Sequence, residues 1–122
     1  MIVAGFGFRR DATDDSLREA LLRATGDLRI DALATVADKA SAPALIRLAD
    51  QLGLRLYPIA PDRIVTQDTV TRSARVSARR GTGSVAEAAA LAATDPDGRL
   101  IGARHVSRDG MACCALARKG TP

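Results

Sequence analysis

Residues 2–26 read IVAGFGFRRDATDDSLREALLRATG, and this stretch decides the fold. Its opening, IVAGFG (2–7), is an uncharged apolar run of the kind that forms a buried strand. Helix signals follow within a few residues. Thr13 can cap a helix, Asp14 and Asp15 fall in its favourable first turn, and Leu17, Ala20, Leu21 and Ala24 recur at helical spacing until Gly26. A strand followed at once by an amphipathic helix is the first half of a strand–helix–strand unit.

The alternation continues downstream. IDALATV (30–36) reads as a second strand. Ser41 caps a second helix with Pro43 in its first turn, its apolar face is Leu45, Leu48, Ala49 and Leu52, and Gly53 stops it. LRLYPI (54–59) is a third strand, ended by Pro58 and Pro61. Residues 60–72 are the least regular. Ser73 to Arg80 reads as a short helix, although SARVSAR also alternates as a strand would, and Gly81 and Gly83 break it. Ser84 and Glu87 have the spacing of a capping box, opening an alanine-rich helix to Ala93. DPDG (95–98) is a turn, and RLIGARHVS, RDG and MACCALAR read as two strands joined by a tight hairpin. The expected fold is α/β, one domain over residues 1–122. It is a three-layer α/β/α arrangement whose mixed, mainly parallel sheet is closed by a C-terminal β-hairpin. The first three strands should be parallel, joined by right-handed crossovers.

Composition narrows the function. The 122 residues suit one core, and with aromatics at only 2% that core must be filled by Ala, Leu, Val and Ile. Phe6, Phe8 and Tyr57 are too few for a protein that stacks nucleic-acid bases. The net charge is +4, and the excess sits in the second half: residues 62–122 carry 10 Lys/Arg against 6 Asp/Glu. That balance suits an anionic partner, and an arginine-rich solvated surface accounts for it equally well. Cys113 and Cys114 are adjacent, so in a strand they point to opposite faces and neither pair with nor chelate beside each other. With one histidine in the chain, no metal site is expected. No leader pattern opens the sequence and no apolar run reaches the ~18 residues of a membrane span. A soluble, reduced, cytoplasmic protein with no membrane partner is expected; on charge alone DNA, RNA and a polycarboxylate ligand all remain open, and the scarcity of aromatics and lysines weighs against nucleic acid.

In open parallel sheets, ligands bind outside the carboxyl ends of the strands. Gly7-Phe8-Arg9-Arg10 follows the first strand, Ala37-Asp38-Lys39 the second, and the loop after Ile59 the third. Arg9, Arg10 and Lys39 should therefore form a cationic rim suited to carboxylates or phosphates. The alternative for the arginines is solvated loop charge, and for Gly5 and Gly7 a close strand-to-helix turn. A dinucleotide fingerprint is excluded, because Arg10 stands where its third glycine belongs. RRGTGS (79–84) is a second anion-friendly element, with glycines at 81 and 83 and exposed N–H groups at the following helix start. Arg72, Arg75 and Arg79 would share one face if residues 73–80 are helical. Asp38 beside Lys39 is a candidate acid/base if partly buried, and Glu87 is another, although the capping box already explains it. Thr35 and Ser84 have no adjacent histidine to activate them. His105 reads as a structural residue in mid-strand. No nucleophile–base–orienter set can be assembled.

These motifs, in order, resemble one family. GFGFRRDAT resembles the G-x-G-x-R-R opening shared by CobE and the carboxy-terminal domain of CbiG, proteins of cobalamin biosynthesis. LATVADKA is similar to that family's second-strand segment, LIRLADQLGLRL to its helix-then-strand segment, RRGTGSVAEAAALAA to its Gly-rich turn and helix, and RLIGARHVSRDGMACCALAR to its terminal hairpin. The resemblance spans essentially the whole chain and is nearest to the stand-alone CobE type. It implies a role in the corrin pathway, binding a carboxylate-rich precorrin or hydrogenobyrinic-acid-type intermediate as ligand or substrate. No tightly held cofactor is implied, and other corrin-pathway enzymes are candidate partners. The ligand-binding residues would be Gly7, Arg9, Arg10, Thr35, Lys39, Gly81, Gly83 and Ser84, with the macrocycle lying near Phe8 or the loop after Pro58. Asp38 or Glu87 would handle a proton if there is chemistry. The alternative is a hydrolase of the precorrin-5A type, opening a lactone and releasing acetaldehyde.

Overall fold

The computed structural model describes residues 1–65 and 83–119. Its organising element is strand β1 (Ile2–Phe8), one residue longer than expected. Helix α1 (Asp14–Thr25), strand β2 (Ala32–Val36), helix α2 (Pro43–Leu52) and strand β3 (Arg55–Ile59) follow. Then come a short helix α3 (Pro61–Val65), helix α4 (Gly83–Ala93), and strands β4 (Gly98–Leu100), β5 (His105–Val106) and β6 (Ala112–Lys119). The sheet runs in the order β3-β2-β1-β6-β4, with β5 also paired to β6. The first three strands are parallel, in the register Val3 with Ala32 and Ala32 with Arg55. Strand β6 runs antiparallel along the whole of β1, from Ile2 opposite Arg118 to Phe8 opposite Ala112. The sheet is mixed and open.

Side chains alternate across a strand, so β1 divides its residues between two faces. Ala4, Phe6 and Phe8 pack with Leu17, Ala20 and Leu21 of α1 and with Leu45, Leu48 and Ala49 of α2. Val3 falls on the other face, in a cluster with Ala32, Ala34, Ile64 of α3 and Ala88, Ala89 and Ala92 of α4. These are the three layers that the sequence pattern predicts. The cysteines divide as expected: Cys113 packs with Ala86 of α4 and Cys114 with the α1/α2 core. Both are buried, and burial pushes the Cys114 thiol well up.

Gly5 is needed for a reason other than the strand-to-helix turn. It lies in mid-strand under α4, where an added Cβ would stand 2.2 Å from the Ala86 carbonyl oxygen and 2.6 Å from the Ala90 nitrogen. Helix backbone rests directly on strand backbone there. The alanine-rich sequence of α4 serves the same close approach, since Ala86, Ala89 and Ala90 are fully buried.

Several local expectations shift. Helix α2 begins after Ala42, which offers no side-chain cap, so Ser41 is not its N-cap; Pro43 starts it and restricts Ala42 to extended backbone. Gly53 ends it in the left-handed region at φ 66°. Strand β3 runs through Pro58 rather than stopping there, because at a sheet edge the missing N–H need not break a ladder. Pro61 starts the helix α3 inside the stretch expected to be irregular. Gly83 is already helical in α4, so Ser84 lies within the first turn and not ahead of it. The first strand of the terminal hairpin is split: β4 and β5 lie separately along β6, with Gly102 between them at φ 82°. The expected helix from Ser73 to Arg80, and with it the arginine face of Arg72, Arg75 and Arg79, lies outside the described residues.

Candidate functional site

The carboxyl end of β1 lies between the end of β2 on one side and the tip of the β5–β6 hairpin on the other. The loop from Phe8 to Thr13 leaves the sheet there, and its backbone is fastened at several points. Lys39, from the 3₁₀ turn Ala37–Lys39 that follows β2, donates from Nζ to the Phe8 carbonyl at 2.8 Å. The N–H of Arg9 donates to the Met111 carbonyl of the hairpin at 2.8 Å, and the N–H of Ala12 turns back onto the Arg9 carbonyl at 3.0 Å. Thr13 then caps α1 reciprocally with Ser16: Ser16 N–H donates to Thr13 Oγ1 and Thr13 N–H to Ser16 Oγ, each at 3.1 Å. The cap at Thr13 is the one the sequence predicts, and Ser16 completes it.

The arginine side chains differ from this backbone. Arg9 and Arg10 are both exposed, and neither guanidinium has a hydrogen-bonding or ionic partner among the described residues. Two adjacent free cations thus stand on a tethered turn. A guanidinium offers five donors in a planar fork matched to carboxylate geometry. Lys39 is brought to the same point, as the strand order predicts, but its ammonium already serves the Phe8 carbonyl and lies 5.0 Å from the Phe8 ring centroid. The Phe8 ring is buried, so it offers no exposed apolar shelf to a macrocycle. Thr35 is fully buried, and its Oγ1 donates to the Phe6 carbonyl at 2.9 Å, linking β2 to β1 beneath the rim.

Of the two proton-handling candidates, Asp38 is exposed, not partly buried as that role requires. Glu87 is fully buried on α4, and its Oε2 accepts the Arg104 N–H at 3.0 Å, which ties the helix to the connection between β4 and β5. Gly7 is buried in β1. Gly83 and Ser84 open α4. Ala86 packs against Cys113 and Ala115, which pair with Gly7 and Gly5, so the N-terminus of α4 faces the same end of the sheet as Arg9 and Lys39. Gly81 lies outside the described residues. His105 is exposed on β5, at the sheet edge rather than in a packed mid-strand position. Among the described residues, no three His, Cys, Asp or Glu side chains come together as a metal site, and no helix is long and apolar enough to cross a membrane.

Sequence reading missed one participant. Asp109, at the hairpin tip, accepts hydrogen bonds from Ser107 Oγ at 2.6 Å, Ser16 Oγ at 2.6 Å and the Met111 N–H at 3.0 Å. These donors, the Ser107 hydroxyl first among them, hold its carboxyl down at about 2. In the sequence RDG only announces a turn, and Ser16 is 93 residues away.

Fold and site together define an open three-layer α/β/α domain with a cationic rim at the carboxyl ends of its parallel strands. The model of the family described as cobalamin synthesis G C-terminus matches residues 2–117, and the chain belongs to that family; it is a cobalamin biosynthesis protein of the CbiG/CobE type. Solved structures agree. The chain is 30% identical to CobE, a protein from the cobalamin (vitamin B12) biosynthetic pathway, with a TM-score of 0.79 over 100% of this chain and 92% of that one. It is 33% identical to the cobalamin biosynthesis protein chiG from Agrobacterium tumefaciens str. C58, with a TM-score of 0.71 over 99% of this chain and all of the other. A protein described as a cobalamin biosynthesis protein G homolog from Sulfolobus solfataricus shares the fold, with a TM-score of 0.72 at 19% identity over 99% of this chain and 37% of that chain. No curated protein sequence matches the chain.

Proposed function

We propose that this protein binds a carboxylate-rich corrin or precorrin intermediate at the carboxyl end of β1, as a binding or accessory protein of the aerobic cobalamin pathway. The observation that carries this reading is the contrast at Phe8–Arg10. The backbone is tied to Lys39 and Met111, while the Arg9 and Arg10 guanidiniums are exposed and unpaired among the described residues. Corrin precursors carry several acetate and propionate carboxylates, and each can accept a forked pair of hydrogen bonds from a guanidinium. Membership of a cobalamin-synthesis family supports that ligand over other polycarboxylates.

Arg9 and Arg10 are the anchors in this reading. Lys39 and Thr35 act from behind: the first adds positive charge while holding the Phe8 carbonyl, and the second fixes β2 to β1. Gly7 in β1, and Gly83 and Ser84 at the start of α4, are proposed as the neighbouring wall, because the first backbone N–H groups of a helix lack intrahelical partners; Gly81, outside the described residues, is assigned to the same ligand from the sequence alone. The corrinoid is the ligand itself, no separate cofactor is required, and other corrin-pathway enzymes are the partners to which it would pass. The protein as proposed works in the cytoplasm. Asp38 and Glu87 are the side chains that would serve a lactone-opening step, but the exposure of the first and the bonded burial of the second lend that step no support.

Titration with hydrogenobyrinic acid, followed by the absorbance of the corrin, tests the proposal. Binding tighter than about millimolar is expected. Changing Arg9 and Arg10 together to Ala should weaken it by about 1.5–3 kcal/mol for each charged hydrogen bond lost. No spectral change at any concentration would remove the corrinoid reading. Acetaldehyde release from a lactone-bearing intermediate would replace it with the hydrolase.

A further inference from the structure

We infer that Asp109 is a positioning residue for the Arg9–Arg10 site, acting through the loop that carries the two arginines. The inference rests on the reading of those arginines as carboxylate anchors. Two of the three hydrogen bonds to Asp109 are local: Ser107 Oγ and the Met111 N–H belong to the same hairpin tip, and they suffice to shape a turn. The third is not local. Ser16 Oγ reaches Asp109 from α1, and Ser16 is the residue that closes the cap with Thr13.

The hairpin tip therefore grips the arginine loop at both ends. At its start, the Met111 carbonyl takes the Arg9 N–H at 2.8 Å. At its finish, Asp109 takes the hydroxyl of the capping pair. Between Arg9 and Thr13, the capping partner of Ser16, lie only Arg10, Asp11 and Ala12, with the Ala12 N–H closing a turn onto the Arg9 carbonyl. Glu19 also receives the tip, accepting the Arg108 N–H at 2.5 Å, but it lies a turn further along α1 and fastens the tip to the body of the helix. Asp109 is the group that joins tip and cap. The distance between the Arg9 and Arg10 anchors and the rest of the rim is thereby set by a residue of the C-terminal hairpin. Cation placement of this kind matters because a forked guanidinium–carboxylate pair tolerates little displacement.

The test compares hydrogenobyrinic acid affinity in the unaltered protein, D109A, D109N, the Arg9→Ala/Arg10→Ala pair, and that pair combined with D109A. D109A should weaken binding about fivefold, the size of one net hydrogen bond. D109N should restore most of it, because an amide oxygen in the Oδ1 place still accepts from the Met111 N–H and the Ser107 hydroxyl, and the NH2 group can donate to Ser16 Oγ. In the background lacking both arginines, D109A should cause no further loss. Equal loss in both backgrounds would show a general structural effect and overturn the inference. So would wild-type affinity in D109A, while a ligand that ignores all five proteins would overturn the anchor reading beneath it. A second measurement needs no ligand. Amide exchange at Arg9 and Ala12 should quicken about tenfold in D109A, while Leu33 in β2 stays protected; unchanged exchange at Arg9 would overturn the positioning role whatever binds.

Discussion

The middle and the carboxyl end of β1 come from one short sequence, GFGFRR, and the fold uses them in opposite ways. At Gly5 the backbone is sealed, with α4 resting on it so closely that no side chain fits. At Phe8–Arg9 the backbone is held by separate polar partners, a lysine and a hairpin carbonyl, and the side chains that follow are left outside. The first region is a packing contact whose loss should unfold the protein. The second is a platform, and its exposed cations should be removable without harm to the fold. A glycine and an arginine four residues apart thus belong to different links of the chain from sequence to function.

The largest effect should come from breaking the sealed region. Gly5→Ala places a Cβ against two backbone atoms of α4, which cannot rotate away as a side chain would. The helix must lift, and about 3 kcal/mol or more of stability should be lost in denaturant unfolding. A loss below about 1 kcal/mol would mean that α4 slides freely and that the seal is no constraint. A smaller effect is expected where the two regions meet. Lys39→Met keeps the apolar stem near the Phe8 ring but removes the donor to the Phe8 carbonyl, and it should cost about 1 kcal/mol of stability. Its effect on corrinoid affinity should be smaller than that of the arginine pair, because its ammonium is already bonded. If Lys39→Met lowers affinity more than the double arginine change while stability holds, the lysine is the principal anchor.

The smallest effect concerns the tip that holds the platform. The Asp109 carboxyl lies at about 2, below the usual 3.8, so the folded state binds that proton less readily than the unfolded chain does. Its contribution to stability is therefore complete above about pH 4 and fades as the pH falls towards 2. Carboxyl ¹³C shifts in an acid titration should show Asp109 as one of the last aspartates to protonate. Titration near the ordinary aspartate value would mean that the Ser16 and Ser107 bonds do not persist in solution.

Much of the framework was legible because its signals are local. Thr13 with its two aspartates marked the start of α1, Gly53 the end of α2, and the order of strands placed Lys39 beside the end of β1. The features that escaped depend on residues far apart in the chain. Gly5 was visible as a glycine, but its reason lies 81 residues on at Ala86; the long alanine run of α4 was the available hint. Glu87 had the spacing of a helix cap, and the bond it makes to the Arg104 N–H depends on a connection no local rule describes. Ser41 has a capping side chain, yet α2 starts at Pro43, after Ala42, without a side-chain cap. Asp109 gave no signal beyond a turn, since neither Ser16 nor the arginine loop is near it in sequence.

Arg9 and Arg10, unpaired among the described residues on a tethered loop, are proposed to grip a polycarboxylate corrinoid. Hydrogenobyrinic acid titrated into the unaltered protein and into the Arg9→Ala/Arg10→Ala variant, with thermal unfolding of both, tests it most directly. An affinity loss of at least about tenfold, equivalent to about 1.4 kcal/mol, is expected, with the unfolding midpoint unchanged. Equal affinity in the two proteins would return the arginines to ordinary solvated charge.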